Sequence, residues 1–327
     1  MEVIAVKAIR FERTGGPEVL NYVDVDLPPP AAGEARVRHK AIGVNFIDTY
    51  HRSGLYKLTL PSGLGSEAAG VVEALGDGVV GLRVGDRVAY ATAFGAYAQA
   101  SNTPADKLVK LPEGVSEETA AAAMLKGMTA QYLLMRTYAV NPGETILFHA
   151  AAGGVGSIAC QWAKHLGATV IGTVGSDDKV ALARANGCAH VLNTREENWV
   201  QSLREITNGV GVPVVYDGIG KATWDGSLDC LAMRGMMVSF GNASGAVPDF
   251  APGVLSAKGS LYLTRPTLFH YTHTRKELLE TADDLFAVIA SGAVKIRIGQ
   301  RFGLAEAAKA HEALHSRKTT GATILVP

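Results

Sequence analysis

The chain has 327 residues, of which 47% are hydrophobic and 19% are charged, as in an ordinary globular protein long enough for two domains. Its 31 Lys and Arg equal its 31 Asp and Glu, so no net charge favours nucleic acid or an anionic membrane as a partner. The three cysteines are widely spaced, which argues against a disulfide framework and favours a reducing compartment. No secretory-signal pattern and no membrane-length apolar run stands out, so a cytoplasmic protein is expected.

The first 125 residues or so are predicted to be rich in β-strands. Strand patterns lie at 37–44 and 71–75, and turn residues such as Asp77 and Gly78 separate the segments. Residues 81–90 carry glycines and an aspartate where a small barrel would turn a corner. Turn residues, rather than helical patterns, separate the segments of this stretch.

A helix is predicted over residues 116–137, where the composition changes character. Ser116 can cap its start, the two glutamates that follow favour the first turn, and a run of alanines comes next. We expect the chain to cross from one domain to the other here. Lys126 and Thr129 would head this crossing helix, and a solvated helix charge is the plain interpretation of Lys126.

The clearest local pattern is T-I-L-F-H-A-A-A-G-G-V-G at residues 145–156. It predicts a buried strand and a turn of small residues, then a helix over 157–166 that Gly167 ends, and a second strand over 168–174. This order suits a dinucleotide, because a pyrophosphate can approach the bare N–H groups at the helix start. The three key positions of a G-x-G-x-x-G frame are Ala151, Gly153 and Gly156. A tight turn in some other parallel α/β domain is the alternative.

Strands and helices are predicted to alternate after this turn. Further strands are expected near Val191 and at 212–217, 236–241 and 261–264. Such alternation favours a doubly wound parallel sheet, whose ligands bind beyond the carboxyl ends of the strands. Helical patterns at 277–292 and 304–315 and a last strand at 321–326 are expected to return to the first domain.

The end of the second strand indicates which nucleotide binds. An NAD site usually carries an acid there, but this chain has Thr-Val-Gly-Ser at 173–176 and Lys179 shortly after. Small residues and a lysine make room for a 2′-phosphate and neutralise it, which favours NADPH. Asp177 and Asp178 could repel that phosphate, or they could be the first residues of the next helix, where carboxylates are common.

Five segments together resemble the zinc-free quinone oxidoreductases related to zeta-crystallin, within the medium-chain dehydrogenase/reductase superfamily. They are A-I-G-V-N-F-I-D-T-Y-H-R-S-G-L-Y at 41–56, L-P-S-G-L-G-S-E-A-A-G at 60–70, L-K-G-M-T-A-Q-Y-L-L at 125–134, V-S-F-G-N-A-S-G at 238–245 and T-R-P at 264–266. With the glycine turn, the resemblance covers essentially the whole chain.

The resemblance implies an α/β fold of two domains. A GroES-like catalytic domain, a partly open β-barrel, would comprise 1–125 and 267–327, and a Rossmann domain with a doubly wound parallel sheet would bind NADPH in 126–266. The nicotinamide would lie in the cleft between them. Family members are commonly homodimers that join their Rossmann sheets edge to edge, here through a strand near 260–264.

The chain departs from its zinc-dependent relatives at their metal ligands. Those enzymes carry a motif similar to G-H-E-x-x-G, and this sequence has Ser66 in place of its histidine. Nothing near Asn45 resembles their first cysteine ligand. No metal is therefore expected, and Glu67 is expected to be a structural carboxylate. A quinone suits such a site, because hydride addition yields an aromatic hydroquinone and needs less polarisation than a ketone would.

The resemblance also assigns residues to the site. The nicotinamide and substrate end would be lined by Asn45, Asp48, Tyr50 and Tyr56. Either tyrosine would donate a hydrogen bond or proton to the developing hydroquinone, or serve only as an aromatic wall. Asp48 is expected to orient its neighbours, and His149 to be structural.

Cofactor contacts are implied along the whole chain. They are Asn45, Phe46, Thr129, Ala151, Gly153, Gly154, Val155, Gly175, Ser176, Lys179, Thr194, Phe240, Gly241, Asn242, Ser244, Arg265 and Arg317. Among them, Gly175, Ser176, Lys179 and Arg317 match positions that hold the 2′-phosphate. Thr194 stands where a tyrosine often stacks on the adenine, so adenine stacking is in doubt.

Three other kinds of function compete with quinone reduction. A reductase of activated C=C bonds would also work without zinc. From another class, relatives act as a lens crystallin or as nucleotide-sensitive RNA binders, but the zero net charge and the lack of a basic tract count against RNA. A protein that binds the cofactor without turnover is a third alternative.

Overall fold

The computed structural model describes residues 2–327, which form two compact units. The unit that we call terminal comprises 2–128, Thr272–Ala290 and Ile296–Pro327. The unit that we call central comprises Thr129–Tyr271 and Ser291–Lys295. None of the helices within 2–327 has the length and apolar character that crossing a bilayer requires.

Strands and helices are numbered in chain order through both units. The strands are β1 (Ile4–Arg10), β2 (Asn21–Leu27), β3 (Glu34–Val44), β4 (Ala68–Leu75), β5 (Arg87–Tyr90), β6 (Ala100–Pro104), β7 (Val109–Lys110), β8 (Thr145–Phe148), β9 (Thr169–Val174), β10 (His190–Asn193), β11 (Val212–Asp217), β12 (Leu231–Ser239), β13 (Tyr262–Thr264), β14 (Ile298–Gly303) and β15 (Ala322–Val326). The α-helices are α1 (Phe46–Ser53), α2 (Glu117–Tyr132), α3 (Gly154–His165), α4 (Val180–Ala185), α5 (Trp199–Ile206), α6 (Trp224–Asp229), α7 (Gly253–Ala257), α8 (Leu268–Tyr271), α9 (Arg275–Ala290) and α10 (Ala307–His315).

The terminal unit is built on a mainly antiparallel sheet with the order β14-β15-β3-β4-β5-β7, to which β6 adds by pairing with β3. The long strand β3 is central, since it pairs antiparallel with β4, β6 and β15. Apolar side chains of these strands form one core with the apolar face of α10. The last strand therefore completes a sheet that the first part of the chain begins.

Helix α1 interrupts the stretch that was predicted to be rich in β-strands, and its position was not predicted. It occupies Phe46–Ser53, begins after Asn45, and ends at Gly54, whose φ of +86° is the left-handed conformation that glycine adopts readily. The side chain of Asp48 accepts the backbone N–H of Asn45 at 2.9 Å, which satisfies a donor at the helix start. The pair Asn45-x-x-Asp48 followed by a glycine was the available signal for this short helix.

The central unit confirms the predicted doubly wound sheet. Its strand order is β10-β9-β8-β11-β12-β13, and every adjacent pair is parallel. The order reverses between β8 and β11, so the carboxyl ends of these two strands flank the position where such sheets bind their ligands. Those ends are Phe148 and Asp217.

The boundary between the units falls within α2, after Met128. Lys126 and Thr129 are predicted from the sequence to lie at the head of this helix. The helix begins at Glu117, so both residues lie in its second half instead. A short π-helical stretch, Leu133–Thr137, follows it. Strand β14 was not predicted at all, because its residues neither alternate cleanly nor form an apolar run.

Candidate functional site

The predicted glycine turn has the conformation that an anionic ligand requires. Strand β8 ends at Phe148, Ala150 is left-handed with φ +53°, and α3 begins at Gly154 with no side chain capping its first turn. A Cβ built on Gly156 would lie 2.8 Å from the carbonyl carbon of Ala150 and closer still to its oxygen. Only glycine therefore allows the helix to start this close to the turn, and its N–H groups remain available to a phosphate.

A buried polar network lies directly behind the turn and joins the ends of three strands. Ser227 and Thr223 each donate a hydroxyl to Oδ2 of Asp217 at 2.7 Å, and the N–H groups of Ile219 and Gly220 donate to Oδ1. Both oxygens of this fully buried carboxylate are satisfied.

His149 links this carboxylate to the second strand, β9. Its Nε2 lies 2.9 Å from the Ser227 hydroxyl, and its Nδ1 lies 2.8 Å from the Thr173 hydroxyl. Because Ser227 donates to Asp217, Nε2 carries the proton and Nδ1 accepts from Thr173. Burial lowers the pKa of His149. These contacts fit the structural role that was expected of His149.

The segment predicted to hold the 2′-phosphate follows β9. Gly175 is exposed, and Ser176 precedes a short 3-10 turn, Asp177–Lys179, that leads into α4. Asp177 accepts the side-chain amide of Asn193 at 2.9 Å, so this acid belongs to the start of the helical segment. The Thr194 hydroxyl donates to the carbonyl of Val174 at 3.3 Å.

The loop after β12 gathers another set of predicted residues. Arg265 donates through Nη1 to the carbonyl of Ser239 at 2.7 Å and to that of Gly241 at 3.3 Å. With its amide oxygen facing the guanidinium, Asn242 accepts from Nη2 at 3.1 Å. The Ser244 hydroxyl donates to the carbonyl of Ile219 at 2.8 Å. The structure thus brings the predicted residues Gly241, Asn242, Ser244 and Arg265 together with Phe240.

Two predicted cofactor residues lie apart from these loops in the chain. Thr129 is buried in α2, at the first position of the central unit. Arg317 belongs to the terminal unit, is exposed, and follows α10 with φ +57°.

The terminal unit carries the predicted substrate end on α1 and the loop after it. The rings of Tyr50 and Tyr56 meet edge to face with centroids 5.3 Å apart, and the ring of Phe46 lies 6.4 Å from that of Tyr50. The backbone N–H of Tyr56 donates to the carbonyl of Tyr50 at 3.1 Å. These three aromatic residues form one cluster.

Asn45 is held at both its backbone and its side chain. Its N–H donates to Asp48, and its Nδ2 donates to Oε2 of the fully buried Glu67 at 2.8 Å. Lys126 forms an ion pair with the same oxygen at 2.9 Å, and the N–H of Leu125 donates to Oε1 at 2.7 Å. Lys126 is only 5% exposed, so its interpretation as a solvated helix charge is wrong.

Asp48 is the most perturbed carboxyl of this cluster. Burial raises its pKa to about 7, although hydrogen bonds from Asn45 and Tyr97 and the charge of Lys126 act in the opposite direction. Tyr97 donates its hydroxyl to Oδ2 at 2.9 Å and lies 3.1 Å from Nε2 of His311. Sequence reasoning missed both partners, because nothing local marks a contact between positions 49 and 214 residues apart.

Other side chains occupy the positions that the resemblance matches to the metal ligands of zinc-dependent relatives. Ser66 stands where a histidine would be needed, and Asn45 is engaged with Asp48 and Glu67. Within residues 2–327, no three His, Cys, Asp or Glu side chains form a group that could hold a metal ion.

Two family models match the chain and define its class. Residues 31–142 match the alcohol dehydrogenase GroES-like domain, and residues 154–287 match the zinc-binding dehydrogenase domain. The two matches correspond to the antiparallel sheet of the terminal unit and the parallel sheet of the central unit. The fold and the glycine turn thus define a medium-chain dehydrogenase/reductase.

Individual relatives narrow this class. The quinone oxidoreductase of Pseudomonas aeruginosa is 56% identical over 323 residues, which cover 98% of this chain and 99% of that protein. The crystal structure of Escherichia coli quinone oxidoreductase complexed with NADPH is 54% identical, has a TM-score of 0.97, and covers 98% of this chain and 100% of that chain. A 2-haloacrylate reductase from a Burkholderia species is 45% identical over 330 residues, with coverage of 98% and 99%. The chain belongs to the quinone oxidoreductase family of the medium-chain dehydrogenase/reductases.

Proposed function

We propose that this chain is an NADPH-dependent quinone reductase that works without zinc. The observation that carries the proposal is the match over nearly the full length to quinone oxidoreductases, one of them solved with NADPH. It is supported by the replacement of a zinc ligand by Ser66.

The central unit has the features that NADPH needs. The start of α3 offers uncapped N–H groups behind small residues, and Gly156 leaves no room for a side chain between the helix and the turn. We assign Ala151, Gly153, Gly154 and Val155 to the pyrophosphate, and Gly175, Ser176, Lys179 and Thr194, with Arg317, to the 2′-phosphate end. Phe240, Gly241, Asn242, Ser244, Arg265 and Thr129 are assigned to the nicotinamide and its ribose.

When bound, NADPH supplies a hydride, which together with one proton converts a quinone to its hydroquinone. The chain's own residues then have to bind the quinone, orient it against the nicotinamide and exclude water from the site. Asn45 is tethered at its N–H and at Nδ2, so its amide keeps one orientation. We assign it, with Phe46 and Asp48, to the positioning of the reacting rings.

Tyr50 and Tyr56 are assigned as an aromatic wall for a flat quinone ring. Their edge-to-face pairing fixes both rings, and ring stacking needs the ring but not the hydroxyl. Tyr56→Phe should therefore keep kcat/KM within about twofold, whereas Tyr56→Ala should lower it about tenfold, mainly through KM. A large loss of kcat in Tyr56→Phe would instead identify the hydroxyl as the proton donor.

The experiment that tests the proposed function is NADPH oxidation in the presence of a panel of acceptors. The panel contains 1,4-benzoquinone, 9,10-phenanthrenequinone and an alkenone, and NADH is assayed in parallel. Turnover of the quinones with NADPH and much weaker turnover with NADH is the expected result. Tight binding of NADPH with no oxidation by any acceptor would contradict the proposal.

Reduction of an activated C=C bond is the second candidate. The 45% identity to a 2-haloacrylate reductase specifically favours it. A conjugated alkene also accepts hydride without a Lewis acid, so the same site chemistry would serve. Turnover of the alkenone alone in the acceptor panel would put this candidate first.

We also propose a homodimer joined at the edge of the central sheet. Strand β13 is the edge strand of this sheet. Its Tyr262 side chain is 60% exposed, and Met233 of the neighbouring strand β12 is 77% exposed. An open edge of this kind offers unpaired backbone groups to a second copy. Tyr262→Arg, which places like charges on the exposed side chains of the two edge strands, should shift the mass measured by light scattering from dimer to monomer.

A cytoplasmic location is proposed as well. Cys160, Cys188 and Cys230 are buried free thiols without a disulfide between them, which suits a reducing compartment. Cell fractionation with antibody detection tests this location directly.

A further inference from the structure

Four side chains of the terminal unit form one buried chain of hydrogen bonds. Nη1 of Arg52 lies 3.3 Å from Nδ1 of His311, and Nε2 of that ring lies 3.1 Å from the Tyr97 hydroxyl. The Tyr97 hydroxyl lies 2.9 Å from Oδ2 of Asp48. All four residues are buried, and Asp48 and His311 are fully enclosed.

The direction of this chain follows from donor chemistry. Arginine can only donate, so Nδ1 of His311 accepts, and the ring proton must be on Nε2. That proton is donated to the oxygen of Tyr97, whose own proton goes to Asp48. Every hydrogen bond therefore points toward the carboxyl of Asp48.

Asp48 depends on a single oxygen for its contacts. Oδ2 accepts from Tyr97 and from the N–H of Asn45, whereas Oδ1 is buried with no hydrogen-bond partner among the described residues. Loss of the Tyr97 hydroxyl would leave the N–H of Asn45 as the only donor to this side chain. The start of α1 would then lose its main side-chain anchor.

We propose that Tyr97 and His311 are positioning residues for quinone reduction: through Asp48, they hold the first turn of α1 and the Asn45 that precedes it. This inference rests on the proposed function, which assigns Asn45 to the reacting end of the site. Tyr97 and His311 lie outside the set of residues that the family resemblance assigned to the site.

The charged groups around Asp48 come from several elements. Lys126 of α2 favours its ionised form, and Glu67, which precedes β4, disfavours it. Tyr97 donates to it from the loop after β5, with His311 of α10 and Arg52 of α1 behind. Removing the Tyr97 hydroxyl takes away one donor that lowers the pKa of Asp48, so that pKa rises further.

The same unit contains a matched control. Tyr90 and His39 form a second buried pair, with the Tyr90 hydroxyl 3.0 Å from Nε2. Here Nδ1 of His39 lies 2.7 Å from the carbonyl of Ala98 and donates to it, so Nε2 accepts from Tyr90. This pair ends at a backbone carbonyl of the loop, and within residues 2–327 neither side chain hydrogen-bonds to a carboxyl group or to α1.

Tyr97→Phe and Tyr90→Phe each delete one buried hydroxyl bonded to a histidine, and they should cost similar stability. Only Tyr97→Phe should lower kcat/KM for 1,4-benzoquinone, by about tenfold, because a hydrogen bond to a carboxylate is lost at the site. The acid limb of the pH profile should move to higher pH in Tyr97→Phe alone. His311→Gln, which keeps an N–H donor near the position of Nε2, should retain more activity than His311→Leu.

Amide hydrogen exchange gives a readout that does not need turnover. Exchange in residues 46–53 should be faster in Tyr97→Phe than in Tyr90→Phe at matched thermal stability. Equal kcat/KM and equal exchange in the two variants would overturn the proposal. If the wild-type protein turns over no quinone, the proposed function fails, and equal exchange in α1 would then also overturn the positioning role.

Discussion

Each unit contains a buried hydrogen-bond network in which a histidine and a hydroxyl group lead to an aspartate, but the two aspartates differ in how many donors they accept. In the central unit, donors from Thr173 through His149 and Ser227 converge on Asp217, and both of its oxygens are satisfied. In the terminal unit, donors from Arg52 through His311 and Tyr97 converge on Asp48, and one of its oxygens has no hydrogen-bond partner within residues 2–327. The comparison teaches that the carboxylate of Asp217, with donors on both oxygens, fixes a turn, whereas burial raises the pKa of Asp48 to about 7.

The largest contrast is expected in stability. Asp217→Ala removes the carboxylate that accepts from four donors and should cost about 4 kcal/mol of unfolding free energy, whereas Asp48→Ala removes one that accepts from two and should cost about 2 kcal/mol. Urea unfolding of both variants measures the difference. Equal losses would mean that the two networks do not differ in the way the hydrogen bonds indicate.

The pH dependence of stability should separate the effect of Asp48 from that of two buried histidines of the terminal unit. Burial lowers the pKa of His39 to about 4 and that of His311 to about 3, so from pH 7 to pH 5 the unfolded chain binds protons that the folded chain does not. These two groups therefore destabilise the protein as pH falls. Asp48, with its pKa raised to about 7, binds a proton in the folded state over the same range and partly offsets this loss.

Asp48→Asn should consequently expose the full histidine effect. Between pH 7 and pH 5 it should lose about 3 kcal/mol of stability, compared with about 1 kcal/mol for the wild type. Urea unfolding at several pH values checks this. A wild type that loses as much as Asp48→Asn would show that Asp48 does not take up a proton in the folded state.

The affinity for NADPH should be sensitive to substitutions in the glycine turn of the central unit. Gly156→Ala places a Cβ against the carbonyl of Ala150 and should raise the Kd for NADPH about 100-fold. The matched control is Gly253→Ala, because nothing lies within 4 Å of a Cβ built there. Fluorescence titration of NADPH measures both, and an unchanged Kd in Gly156→Ala would contradict the assigned turn.

The smallest expected effect concerns coenzyme preference. Lys179→Gln should weaken NADPH binding about tenfold and leave NADH unchanged, because only the 2′-phosphate gains from the ammonium group. Lys164→Gln, an exposed lysine of the same unit, is the control. Equal weakening of both coenzymes would show that Lys179 acts elsewhere.

The central unit was largely predictable, because its information is local and periodic. A buried strand, a glycine turn, a helix ending at Gly167 and a second strand follow one another within about 30 residues, and the alternation continues to β13. Such spacing determines both the parallel order and the carboxyl ends at which Asp217 and Phe240 lie.

The terminal unit was predictable only in part. Apolar and polar residues alternate in its strands, which made the strands predictable. Helix α1 has only eight residues, and the Asn45-x-x-Asp48 pattern at its start was not recognised as a helix signal. Tyr97, the partner of Asp48, lies 49 residues further along the chain, and His311, the partner of Tyr97, lies 214 residues beyond that, and no local pattern records such contacts. The environment of Lys126 was unpredictable for the same reason. Only the fold reveals that its ammonium group is buried in an ion pair with Glu67.

The most direct test of zinc-independent quinone reduction is NADPH oxidation with 1,4-benzoquinone by chelator-treated wild-type protein whose metal content has been measured. Since Ser66 replaces a zinc ligand, the rate should be the same before and after chelation and should not rise when Zn²⁺ is added. A rate that disappears on chelation and returns with Zn²⁺ would contradict the account.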